Sequence, residues 1–148
     1  VDRRQRQMCI RDRFIDAYKK VLNNEGIYSN DPDDAGGETY KGISRKANPN
    51  WDGWISIDAI KKAHPTTFKG ILKKTSELEK KVQELYKDKY WDCFNLDDVP
   101  NQLVAEQMFD TAVNQGQTAA VKFAQRVLDL RETGVWSLDL LYKFVAIK

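Results

Sequence analysis

Apolar side chains recur along this chain mostly at intervals of three and four, the period of a helix with one buried face. Phe14, Ala17, Tyr18, Val21 and Leu22 set the first stripe, with lysines between them. It predicts an amphipathic helix ending near Asn24, with Gly26 as its breaker. Residues 76–94 carry the strongest pattern, through Leu78, Val82, Leu85, Tyr86 and Tyr90, and Ser76-x-x-Glu79 reads as a capping box. Leu103, Val104, Met108, Phe109, Ala112 and Val113 predict the inner side of a helix reaching Asn114, with Pro100 in its first turn and Gly116 as its stop. Ala120, Val121, Ala124, Val127 and Leu128 predict another over residues 118–130, and residues 138–147 begin one more. A shorter helix is expected from a Ser56 cap to Ala63. His64-Pro65 ends it, because a residue before proline is pushed out of the helical region.

The period breaks in two places. From Gly26 to Lys41 the chain turns to Gly, Pro, Asp and Asn, which predicts a loop with a short hairpin through residues 40–43. Residues 48–54 predict a second loop. The expected class is mainly α, with one short irregular or hairpin region after the first helix.

Composition narrows the function. The 148 residues suffice for one compact domain or two very small ones. With 41% apolar and 31% charged residues the balance is globular. No apolar run is long enough to span a bilayer, so no membrane insertion is expected. Arg3, Arg4, Arg6, Arg11 and Arg13 against Asp2 and Asp12 put +3 on the first thirteen residues, so a whole-chain charge of +2 leaves the rest at −1. That remainder lacks the electrostatic footprint of a nucleic-acid binder. The first segment resembles the string produced when sequencing-adapter DNA is read through, and residues 1–13 are expected to be non-native. They hold no apolar h-region, so no signal peptide is visible. Cys9 lies in that segment, which leaves Cys93 as the one thiol of the body and suits synthesis in a reducing compartment.

The inventory also speaks against several chemistries. A catalytic zinc generally takes three ligands from His, Cys and carboxylate. The single histidine, His64, and Cys93 are far apart and show no ligand spacing. Cys93 reads as a small buried hydrophobe at a helix end, and His64 as a surface or capping residue. No phosphate-binding or dinucleotide motif is present. No metal and no cofactor are expected.

The acidic loop admits three readings. Asp31, Asp33 and Gly36 fit the first, third and sixth positions of a calcium loop, but Ala35 and Gly42 fall where ligands are needed. A purely structural loop of Asx-turns explains several of the residues, Pro32, Gly36 and Gly37 above all. The catalytic reading uses Glu25. A glycosidase needs one neutral carboxylic acid to protonate the leaving oxygen and commonly a second, ionised carboxylate. Glu25 follows an apolar helix, where desolvation raises a carboxyl pKa. Asp31, Asp33 and Asp34 sit in a polar loop that keeps a carboxylate charged. Thr39 is placed to orient the attacking water. The carboxylate spacing is open, so inverting and retaining outcomes both stand.

At these residues a family resemblance is visible. Glu25-Gly-Ile-Tyr-Ser-Asn-Asp31-Pro-Asp-Asp34-Ala-Gly36-Gly37-Glu-Thr39-x-x-Gly42-Ile43 resembles the signature of glycoside hydrolase family 108, which comprises lysozyme-like N-acetylmuramidases, many of them phage endolysins. Phe109-Asp110-x-Ala-Val-Asn114-x-Gly116 and Ala120-Val-Lys-x-x-Gln125 are similar to that family's C-terminal peptidoglycan-binding segment. The family usually has glycine where Ile27 stands. The spacing Glu25, Asp34, Thr39 is similar to the Glu-Asp-Thr triad of phage-type lysozymes, with its last interval one residue shorter.

The resemblance implies a mainly helical, lysozyme-like fold. It implies a catalytic region over residues 14–95 and a helical binding region over 96–148, packed on the first and expected to be truncated. It implies hydrolysis of the β-1,4 bond between N-acetylmuramic acid and N-acetylglucosamine, with Glu25 as catalytic acid, Asp34 (or Asp31) as second carboxylate, and Thr39. Tyr28, Asp31, Gly36, Gly37, Trp51 and Trp54 are the expected glycan-binding residues: aromatic faces suit sugar rings, and the glycines let the backbone approach the strand. The partners implied are peptidoglycan glycan strands met by a monomer. Such enzymes accumulate in the cytoplasm and act on the cell wall. The rival functions are a lytic transglycosylase, which would use Glu25 alone, and a non-catalytic peptidoglycan-binding module.

Overall fold

The computed structural model of the chain describes residues 3–22, 27–33 and 37–146, with side chains from Arg13 onward. It is mainly α, as the periodicity predicts, with a small antiparallel sheet. Two compact units divide it: residues 21–85, and residues 1–20 together with 86–148.

In the unit of residues 21–85, strands β1 (Tyr28–Asn30), β2 (Glu38–Tyr40) and β3 (Ile43–Ser44) form a sheet with β2 in the centre. The β2–β3 turn is the expected hairpin. Its two turn residues, Lys41 and Gly42, both take positive φ (47° and 83°), the combination that matches strand twist in a two-residue turn. Strand β1 has no counterpart in the sequence reading. It is three residues long, and only its register against β2 defines it.

Helices α2 (Gly53–Ala63), α3 (Phe68–Lys74) and α4 (Ser76–Tyr90) follow. Helix α2 begins at Gly53 with Asp52 before it, three residues ahead of the expected Ser56 cap, and His64 ends it as predicted. Helix α3 was not legible. Threonines flank it and Gly70 interrupts it, so its propensity is poor. Tertiary packing holds such a short helix: α3 lies against α2, and its Leu72 is buried at 1% exposure. Ser76 is the first residue of α4 rather than its cap, and the Glu79 carboxylate is ion-paired to Lys41. The core of this unit gathers Tyr40, Ile43, Trp54, Ile57, Leu72 and Val82. Tyr40 also donates its hydroxyl to the Leu72 carbonyl at 3.3 Å.

In the other unit, α1 (Arg3–Leu22, up to Lys20) supplies Phe14, Ala17 and Tyr18. The Phe14 ring meets Trp91 and Phe109 edge-on at 5.6 and 5.7 Å, the offset geometry aromatic quadrupoles favour. The expected helix over 76–94 stops at Tyr90. Two 3-10 turns, Asp92–Phe94 and Leu96–Asp98, continue it, joined by Asn95 in the left-handed region. Pro100 precedes α5 (Gln102–Gln115) instead of entering it. Asn101 is the cap, its Oδ1 accepting from the N–H groups of Leu103 and Val104.

Helices α6 (Gln117–Val127) and α7 (Leu138–Val145) complete the described chain. Leu103 and Val127, expected inside, are 74% and 58% exposed. They line an open apolar groove of about 310 Å³ with Met108, Phe123 and Phe144.

Candidate active site

Strand pairing sorts the side chains of the sheet. Directly paired residues share a face and neighbours alternate. Tyr28 pairs with Tyr40, Tyr40 with Ile43, and Asn30 with Glu38. These side chains leave on the face where Tyr40 and Ile43 are buried at 0% and 2% exposure. Ser29 pairs with Thr39, and Thr39 with Ser44. The opposite face therefore carries three hydroxyls in one row across the strands, with Thr39 in the middle.

On the first face Glu38 is the centre of a charge cluster. Its Oε2 accepts from the Tyr28 hydroxyl at 2.5 Å and from Lys61 Nζ at 2.8 Å, and its Oε1 from Arg45 Nη1 at 2.7 Å. Arg45 also pairs with Asp58, which stands one turn before Lys61 on α2. Aromatic rings support both cations. Arg45 lies 5.1 Å from the Trp54 ring centroid, and Lys61 lies 5.5 Å from that of Tyr28. Burial alone raises the Glu38 pKa. The hydrogen bonds from Lys61, Tyr28 and Arg45 outweigh it and hold the carboxyl at about 2. The Tyr28 hydroxyl is pushed up by burial and by Glu38. Arg45 pulls Asp58 down, and Glu38 pulls Lys61 up. Glu38 is thus a permanent anion at any working pH and is unsuited to deliver a proton.

Each site residue read from the sequence has a place or lies outside the description. Glu25, Asp34 and Gly36 lie outside the described residues. Thr39 has partial exposure on the hydroxyl face. Asp31 is exposed after β1, and its Oδ1 accepts from the Asp33 N–H at 2.9 Å, an Asx-turn that gives this carboxylate a backbone role. Gly37 takes φ +65°, the left-handed conformation that favours glycine. Tyr28 is half-buried, its hydroxyl committed to Glu38 and its ring edge-on to Phe68 at 5.2 Å.

Trp54 must be corrected. It is 2% exposed, donates its indole N–H to the Asn48 carbonyl at 2.9 Å and offers no free face to a sugar; it is a core residue. Trp51 keeps partial exposure, but Tyr40 stacks on it at 6.2 Å and Trp54 meets it edge-on at 5.3 Å. Gly53 also lies so close that a Cβ there would fall 2.2 Å from the Trp51 ring.

Sequence reading passed over Glu38 as a member of the site. Its one local signal was a charged residue between Gly37 and a candidate catalytic threonine. Among the described residues no group of His, Cys, Asp and Glu is arranged to hold a metal. No helix of the described chain is long and apolar enough to cross a membrane.

Comparison with known proteins identifies the family and the fold. No curated protein matches the sequence. Among solved structures, SagA from Brucella abortus is similar, at 27% identity and a TM-score of 0.65, with 93% of this chain and 71% of that one covered. That likeness bears out the mainly α, lysozyme-like fold. The family model described as "Glycosyl hydrolase 108" matches residues 18–116, which include the motif from Glu25 to Ile43 and the whole sheet. The chain belongs to the glycosyl hydrolase 108 family, a family of peptidoglycan-degrading glycosidases.

Proposed function

We propose that this protein is an N-acetylmuramidase that cleaves the β-1,4 bond between N-acetylmuramic acid and N-acetylglucosamine by general acid catalysis. Glu25 is the proton donor in this reading. Asp34, or Asp31 in its place, is the ionised carboxylate that positions water or stabilises the oxocarbenium-like state. Thr39 orients the water. Residues 96–148 add contacts to the glycan strand. The enzyme works as a monomer of the phage endolysin type, made in the cytoplasm and acting on the cell wall.

One observation carries the reading: the family match spans the Glu25–Thr39 motif. The charge cluster supports it by elimination. Glu38, the other glutamate of the motif, is held ionised at about 2, which leaves Glu25 as the glutamate suited to donate a proton.

The test is Glu25→Gln on purified murein. Removing a general acid costs about a hundredfold or more in turnover, and near-normal clearing by the variant would end the assignment. Mass spectrometry of the wild-type digest separates the rivals. Reducing muramic ends support hydrolysis and anhydro-muramic ends indicate a lytic transglycosylase. Murein binding without any sugar release indicates a binding module.

A further inference from the structure

Strand β2 carries Glu38 and Thr39 on opposite faces of the sheet. The Glu38 side chain is 10% exposed and bonded to Tyr28 of β1, to Arg45 just beyond β3 and to Lys61 of α2. Three directional, charge-assisted bonds from three directions fix how a strand is rotated about its own axis. The apolar packing of β2 does not need them. Tyr40 and Ile43 already bury this face without them. What the cluster does fix is direction. A strand that cannot roll must point its next side chain, Thr39, one way. The Thr39 hydroxyl makes no hydrogen bond to any other described residue that would hold it instead.

We propose that Glu38 is a positioning residue for Thr39: the Tyr28–Lys61–Arg45 cage around its carboxylate sets the direction of the Thr39 hydroxyl on the opposite face of the sheet. The proposal rests on the muramidase reading, in which Thr39 orients water. In it Glu38 acts through its neighbour rather than on the reacting groups.

A double-mutant cycle on soluble murein glycan strands tests it, with Glu38→Gln, Thr39→Ala and the pair, each assayed well below its own melting temperature. Misplacement of a group far from the chemistry can cost up to about a hundredfold. Glu38→Gln is expected to lower kcat about tenfold with KM within about twofold, the signature of an interaction used in the transition state. Thr39→Ala lowers kcat at least as much, and the pair is no slower than Thr39→Ala alone, because Glu38 has nothing left to position. Losses that multiply, a loss confined to KM, or full turnover by either single variant overturns the proposal. If Glu38→Gln does not fold, Arg45→Lys replaces it in the same cycle, keeping the charge and removing the forked geometry, with the same outcomes decisive. A wild-type chain that releases no sugar ends sinks the muramidase reading and this proposal with it. An active wild type with multiplying losses overturns the role of Glu38 alone.

Discussion

Glu38 and Thr39 are consecutive residues of β2 whose side chains part company: the carboxylate enters a cage of Tyr28, Arg45 and Lys61, and the hydroxyl stands beside Ser29 and Ser44 on the other face. One strand thus divides two kinds of surface, one of paired charges and one that carries a row of hydroxyls.

The cage makes an acid-stability prediction. Glu38 is held at about 2 against its ordinary 4.5. A depressed carboxylate adds stability above its unfolded pKa and loses it as pH falls through the folded one. The unfolding free energy should therefore drop by up to ~3 kcal/mol between about pH 4.5 and pH 2, the size following from the shift. Asp58 and Glu106, both lowered as well, add losses in the same direction, so the Glu38 part is isolated by difference. Urea unfolding of wild type and Glu38→Gln at about pH 5 and about pH 2.5 measures it. Equal drops in both proteins would refute the cage.

Trp54 is predicted to matter for folding and not for sugar. At 2% exposure, with its N–H on the Asn48 carbonyl, Trp54→Ala should cost about 3–5 kcal/mol, as large core truncations do. At low temperature the folded fraction should keep the wild-type KM for murein strands. A raised KM with an unchanged melting temperature is the opposite result, and it would return Trp54 to the glycan-binding set.

Two glycines should fail for different reasons. At Gly53 a methyl group would overlap the Trp51 ring, 2.2 Å away, so Gly53→Ala should cost about 1–3 kcal/mol through overpacking. At Gly37 a Cβ would meet no described residue outside its chain neighbours nearer than Lys46 at 3.8 Å, but φ is +65°. The cost of Gly37→Ala there is conformational, about 1–2 kcal/mol, and Gly37→Asn should cost less because asparagine tolerates that region. Chemical denaturation of the three variants checks the order. An asparagine no better than alanine would argue against backbone strain at Gly37.

These residues show where sequence was enough. Helices α5 and α6 were legible from period alone, since one apolar stripe and Gly116 define them. The turn of the sheet was legible from Gly42. The cage was not. Glu38 meets Arg45 seven residues on and Lys61 twenty-three residues on, and only hairpin register and the seating of α2 bring them together. Period alone likewise cannot rank a helix's apolar positions. Leu103 and Val127 fit their stripes, yet they border a groove. The aromatic pair misled for the same reason. Trp51 and Trp54 look alike in a loop-like sequence, and burial of α2's first turn separates them.

Cys93 should be a slow thiol. It is half-buried, its Sγ donates to the Lys89 carbonyl, and burial together with Asp92 pushes it up to about 11. The thiolate is the reactive form, so alkylation at neutral pH should run well over tenfold slower than for a free thiol and accelerate until about pH 11. Cys93→Ala should leave murein turnover unchanged. Rapid labelling at neutral pH would show that the thiol is not held as described.

Arg13 is the last residue of a segment whose sequence gave no reason to expect packing, yet its guanidinium is committed on every side. Nε donates to Gln102 Oε1 at 2.6 Å, Nη1 to the Asp97 carbonyl at 3.3 Å and Nη2 to the Val99 carbonyl. Gln102 returns a bond to the Arg13 carbonyl at 3.1 Å. The Asp97 carbonyl lies in the second 3-10 turn and the Val99 carbonyl just after it, before α5, where the backbone leaves regular structure and its acceptors need outside donors. Arg13→Ala removes three charge-assisted donors at once and should cost about 1.5–3 kcal/mol, the range for hydrogen bonds to charged groups. Arg13→Lys, which keeps the charge but cannot fork to two carbonyls, should recover less than half. Thermal and urea unfolding of the full chain measure both. If neither substitution shifts the midpoint, the three bonds of Arg13 add nothing to stability.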